Sequence, residues 1–177
     1  MPKKTMLLTG STRNNRKTPR AAKLVHNHLK KRESVEINVV DLADLNIPFM
    51  AERLKFLTNP HPDIVKLANI IVESDPLIIV SPEYNGSIPG VLKNALDHYI
   101  DEYEGKTVGV VSVSKGPRGG DYCFSTLKEF FRRLDAKRTV HLKINKIQDT
   151  VSEDGEDLGG YGERVEQFID EIFSQYL

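Results

Sequence analysis

The chain carries a repeated alternation of short apolar runs and helical periods. The apolar runs are Thr5–Thr9 (TMLLT), Val35–Asp41 (VEINVVD), Pro76–Ser81 (PLIIVS), Thr107–Ser114 (TVGVVSVS) and a weaker Thr139–Ile144 (TVHLKI). Continuous Val/Ile/Leu runs suit parallel strands covered on both faces. Between them, apolar residues recur three or four apart, which predicts helices. One set is Ala21, Ala22, Val25 and Leu29, and the next is Ile64, Leu67, Ala68 and Ile71. A third runs from Ile88 to Tyr99, a fourth from Cys123 to Leu134, and the last from Tyr161 to Phe173. Thr18-Pro19 reads as an N-cap followed by Pro at the first helical position, and Pro62 and Pro89 can each open a helix.

Five strand–helix alternations predict one three-layer α/β domain over residues 1–177. In this length the flavodoxin-like parallel sheet, order 2-1-3-4-5, is favoured. Residues 49–62 and 148–160 read as surface loops, the second acidic. Gly155 in the glycine place of an EF-hand would put Thr150 and Tyr161 where acids are required, so no calcium loop is expected.

Composition narrows the function. The 177 residues hold 25 Lys+Arg against 25 Asp+Glu, so the formal net charge is zero. That argues against nucleic acid as a partner and against a strongly acidic electron carrier. The one cysteine, Cys123, excludes an intramolecular disulfide and a CxxC pair. Its period places it on an apolar helix face, where a small buried hydrophobe is expected. No apolar run reaches membrane-spanning length, and Met1-Pro-Lys-Lys leads straight into a strand. The expectation is a soluble, cytoplasmic protein without a metal site.

In an open parallel sheet, ligands bind beyond the carboxyl ends of the strands, at the switch point of strand order. The loops after strands 1, 3 and 4 meet there. The first, GSTRNNRKTP from Gly10, carries hydroxyls and cations into a helix N-terminus, which favours a phosphate. It lacks the glycines of a P-loop or of GxGxxG. Asp41, at the end of strand 2, then reads as a solvent-edge residue. The second, SPEYNGSIPG from Ser81, offers Tyr84 and a backbone able to approach a flat ligand. The third, SKGPRGG from Ser114, offers glycine N–H groups. A phosphate loop and two ring-contacting loops at one sheet edge fit flavin mononucleotide (FMN).

These loops resemble those of the NADPH-dependent FMN reductase family. The matching motifs are GSTRNNR at 10–16, DLADLNIP at 41–48, PEYNGSIPGVLKNALD at 82–97 and SKGPRGG at 114–120. The resemblance implies bound FMN, with NADPH or NADH as co-substrate. By position, Ser11, Arg13, Arg16, Lys17 and Thr18 would hold the phosphate. Pro82, Glu83, Tyr84 and Asn85 would line the isoalloxazine, with Ser114, Lys115, Gly116 and Gly119 closing the other side. Arg118 is the candidate for the 2′-phosphate of NADPH.

The resemblance also implies a small-molecule electron acceptor (a flavin, quinone, azo compound or metal oxyanion) and a homodimer, or a homotetramer. No catalytic side chain is assigned, because the flavin carries the hydride chemistry and coenzyme and acceptor would follow each other in ping-pong order. A flavodoxin-type carrier or a flavin-binding redox sensor is the alternative.

Overall fold

A computed structural model describes residues 2–117, 119–174 and 176. Arg118, the expected 2′-phosphate contact, lies outside the described residues.

Five parallel strands form one sheet: β1 (Lys3–Thr9), β2 (Val35–Asp41), β3 (Leu77–Pro82), β4 (Thr107–Val113) and β5 (Arg138–Ile144). Their order is β2-β1-β3-β4-β5, as the alternation predicts. Thr9 is in register with Asp41, so β1 and β2 end level, while on the other side it pairs with Val80 and β3 runs on to Pro82, in register with Val113 at the end of β4. Strands β3 and β4 are covered on both faces, which is why their apolar runs are unbroken.

Among the described residues, six α-helices connect or follow the strands: α1 (Thr18–Leu29), α2 (Pro62–Glu73), α3 (Gly90–Asp97), α4 (Asp121–Arg133), α5 (Ile147–Thr150) and α6 (Gly162–Phe173). Leu7, Ile78, Val80 and Val111 face α1 and α6. Met6, Leu8, Ile79 and Val110 face α2, α3 and α4. Each fully buried aliphatic side chain in these layers contributes roughly 1.5–3 kcal/mol.

Element ends depart from the sequence pattern where local contacts compete with period. Lys17, not Thr18, caps α1, and Thr18 is its buried first residue. Helix α3 opens at Gly90, and Tyr99 lies beyond it with its hydroxyl on the Ile64 carbonyl at 2.9 Å. Just before the expected acidic loop, buried Ile147 opens and anchors the single turn of α5, which takes up the loop's first residues. The remainder of that loop is pinned to α1 by Arg20 and Lys23, which donate to the Val151 and Glu153 carbonyls. Val72, on α2 but outside the Ile64–Ile71 period, stays 58% exposed.

Candidate functional site

The carboxyl ends of β1, β3 and β4 deliver three loops to one edge, and two clefts open between them. The narrower, about 50 Å³, is lined by Arg13, Arg16, Lys17 and Thr18 from the first loop. The wider, about 420 Å³, is lined by Pro82, Glu83, Ser114 and Gly116. Arg13, Tyr84, Val113 and Lys115 border both, so the clefts are continuous. Val113 is a wall residue the motifs do not single out.

The first loop leaves β1 at Gly10, whose N–H donates to the Val80 carbonyl at 2.8 Å. A Cβ at Gly10 would lie 2.7 Å from a Leu92 methyl, so glycine here lets Leu92 of α3 pack against the end of β1 and a larger residue would push it back. Ser11 is fully buried and borders neither cleft. Its hydroxyl meets the Tyr84 hydroxyl at 2.9 Å. Arg16 donates to the Ser11 carbonyl and forks onto Asp41 at 2.6 and 2.7 Å. Asp41 is therefore the partner of the first loop's second arginine and not a solvent-edge residue. Arg13, Lys17 and Lys115 have no carboxylate partner among the described residues. The narrow end thus concentrates unneutralised positive charge beside the N-terminus of α1, where anions are favoured.

The second loop is a two-residue turn. Tyr84 and Ser87 exchange backbone hydrogen bonds at 2.9 and 3.0 Å, with Asn85 and Gly86 both at positive φ. An Asn-Gly pair is the sequence signal for such a turn. Asn85 sits at its tip, outside both clefts. Glu83 reaches back to α4, where its carboxylate accepts the Tyr122 and Cys123 N–H groups at 3.1 and 3.4 Å. It caps a helix some forty residues away in sequence.

The third loop is fastened from beneath. The Ser114 hydroxyl donates to the Gly116 carbonyl at 2.7 Å and accepts the Gly119 N–H at 2.9 Å. Gly119, at φ +71°, is buried below the cleft rather than in its wall. Ser112 donates to the Gly119 carbonyl, leaving its oxygen to accept from His141 Nε2 at 2.7 Å. The His141 ring stacks on Phe124 with centroids 3.8 Å apart. Burial pushes its pKa down from 6.5 to about 4. Burial likewise pushes the Cys123 thiol up to about 11, and Cys123 packs under the site as an inert hydrophobe.

A wide slot with a partly apolar wall joined to a narrow cationic end can take a planar group with an anionic end. Residues 4–150 match the profile of the NADPH-dependent FMN reductases. The chain belongs to that family. An NAD(P)H-dependent FMN reductase of Schizosaccharomyces pombe is 33% identical over 71% of this chain and 64% of its own length. An NAD(P)H-dependent FMN reductase of a Nectria species is 33% identical over 80% of this chain and 73% of its own. The matched region thus spans just under two thirds of the fission-yeast relative. Among solved structures, the flavoenzyme NAD(P)H:(acceptor) oxidoreductase FerB of Paracoccus denitrificans superposes with a TM-score of 0.77. It is 22% identical and covers 97% of this chain and 98% of its own, a likeness of fold. In this FMN reductase family member, the described residues hold no cluster of three His, Cys, Asp or Glu fit for a metal ion. No helix among them is long and apolar enough to cross a membrane.

Proposed function

We propose that this chain is an FMN-dependent oxidoreductase that draws hydride from NAD(P)H and delivers it to a small acceptor: a flavin, quinone, azo compound or metal oxyanion. The observation that carries this reading is the continuity of the cationic cleft at Arg13, Lys17 and Lys115 with the ring-sized cleft at Pro82, Tyr84 and Ser114. Bound FMN supplies the two-electron chemistry, which needs no protein acid or base.

The protein's own residues bind, orient and shield. Arg13 and Lys17, with the N-terminus of α1, hold the phosphate. Pro82, Glu83 and Tyr84 form one wall for the ring, and the backbone of Ser114–Gly116 the other. Lys115 is exposed and borders both clefts, so it provides positive charge near whichever end carries the anion. Coenzyme and acceptor are assigned in turn to the open side of the wide cleft, in ping-pong order. Sequential initial-rate patterns would remove that part of the reading.

The reading extends to assembly and place. Phe49, 91% exposed, and Phe56, 63% exposed, lie with Val72 outside the core. We assign them to a homodimer contact in a cytoplasmic protein. Micromolar light scattering should give twice the 20.0 kDa chain mass. For the activity, the test is to purify the protein, release and identify its flavin, then mix it with NADPH and a quinone. FMN and steady NADPH oxidation are expected. FMN without NADPH or NADH oxidation would favour a flavodoxin-type carrier, and no flavin uptake would remove the reading.

A further inference from the structure

Tyr84 makes two contacts with the loop after β1, one through its hydroxyl and one through its ring. Its hydroxyl lies 2.9 Å from the buried Ser11 hydroxyl. The Arg13 guanidinium stands over its ring, 5.5 Å from the centroid. The two contacts fall on either side of Thr12, so the first turn of the phosphate loop leans on one aromatic side chain. Tyr84 is in turn held by the hydrogen-bonded turn it shares with Ser87 and by Glu83, whose carboxylate is fixed on α4. Ser11 is fully buried and does not border the clefts, so its hydroxyl has Tyr84, not a ligand, as its partner. A buried hydroxyl deprived of its partner carries an unmet desolvation cost, which makes this bond a restraint on where Ser11 and its neighbours sit.

We infer that Tyr84 is a positioning residue for the phosphate loop: its hydroxyl fixes Ser11 and its ring fixes Arg13, coupling the ring-contacting loop to recognition of the phosphate. This rests on the flavin reading and goes beyond it, because it assigns the Tyr84 hydroxyl to the far end of the ligand. The consequence is a selective one. Removing the hydroxyl lets the phosphate loop drift without altering the wall against the ring. Affinity for FMN then falls while affinity for riboflavin, which has no phosphate, is retained.

The test is equilibrium titration of the full chain, stripped of flavin, with FMN and with riboflavin. Tyr84→Phe should bind FMN about five-fold more weakly, the scale of one net hydrogen bond, with riboflavin affinity within two-fold of the unaltered protein. Ser11→Ala should reproduce that pattern, and the double variant should be no weaker than either single one. Equal losses for both flavins, or losses that multiply in the double variant, would overturn the inference. So would FMN affinity unchanged in Tyr84→Phe. If the unaltered chain takes up neither flavin, the parent reading fails first, and that result is distinct from each of these.

Discussion

Arg16 and Asp41 form a two-bonded pair across the ends of neighbouring strands. Nη1 and Nη2 meet Oδ1 and Oδ2 at 2.6 and 2.7 Å, with the side chains 19% and 22% exposed. Fork-to-fork geometry gives such pairs directional strength that a lysine point charge lacks. The same guanidinium donates to the Ser11 carbonyl, and Asp41 also accepts the Ala43 N–H at 3.0 Å. The pair therefore ties the loop after β1 to the end of β2. It spends on Asp41 much of the charge that the loop would otherwise offer an anion.

Removing either partner should cost stability more than flavin binding. Arg16→Ala and Asp41→Asn should each lower stability by about 1–2 kcal/mol, between the values for exposed and buried pairs. The double variant should lose little more than one of them. FMN affinity should change by no more than a few-fold. Chemical unfolding and FMN titration of the three variants check this; a hundred-fold affinity loss in Arg16→Ala would make Arg16 a phosphate ligand instead.

Arg13 is the contrasting case. It is exposed, borders both clefts and has no carboxylate partner among the described residues. Arg13→Ala should weaken FMN binding by about 1.5–3 kcal/mol, the scale of a hydrogen bond to a charged group, and leave the unfolding midpoint unchanged. An unchanged FMN titration would show a solvated charge.

The sheet and its order were legible because each strand is a local apolar run and each helix a local period, such as Ile64, Leu67, Ala68 and Ile71, all buried on α2. The place of the site followed from strand order. What each side chain does there was less legible. Arg16 and Asp41 are 25 residues apart, and Glu83 and Tyr122 are 39 apart. Such pairs exist only once the sheet brings its loops together, and no periodicity encodes them. Ser11 shows the same limit: its type and position suit a phosphate, yet burial hands its hydroxyl to Tyr84. The Asn85-Gly86 turn, by contrast, was readable from the dipeptide alone.

His141 should give the protein an acid-sensitive limb. Its folded pKa is lowered from 6.5 to about 4, chiefly by burial, with Lys143 and Arg164 adding to the fall and Asp121 opposing it. Below pH 6.5 the unfolded chain takes up a proton that the folded chain refuses. Stability is thus full above that pH and is lost as pH falls toward 4. Gln at 141 keeps an N–H for Ser112 without titrating. Urea midpoints of His141→Gln between pH 7 and 4.5 should fall less steeply than those of the unaltered protein; parallel curves would assign the limb to carboxylates.

Cys123 should be silent toward thiol reagents. The side chain is fully buried, its Sγ–H directed to the Ser81 carbonyl at 3.7 Å, and its pKa is raised to about 11. Thiolate is the reactive form, and at pH 8 almost none exists. A disulfide reagent should label the native protein only at the rate of its opening and label it fully in denaturant. Rapid native labelling would mean that the base of the flavin site opens readily.

Glu83 joins the ring-contacting loop to α4, and its removal should be felt in both. The Tyr122 and Cys123 N–H groups stand in the first turn of α4, where the helix itself offers no acceptor, and the Glu83 carboxylate satisfies them and suits the helix dipole. The preceding residue, Gly120, sits at φ +80° with no side chain to cap the helix itself, so the cap has to come from another loop. Loss of a cap costs about 0.5–2 kcal/mol, and 1 kcal/mol moves Tm by roughly 2–4 °C in a chain of this size. Glu83→Ala should therefore lower Tm by a few degrees and loosen the start of α4, read as faster amide exchange at Tyr122 and Cys123. Glu83→Gln, which keeps one acceptor oxygen, should recover most of the protection at those two amides. Faster exchange spread evenly over the sheet would mean that Glu83 supports the whole fold and not this junction.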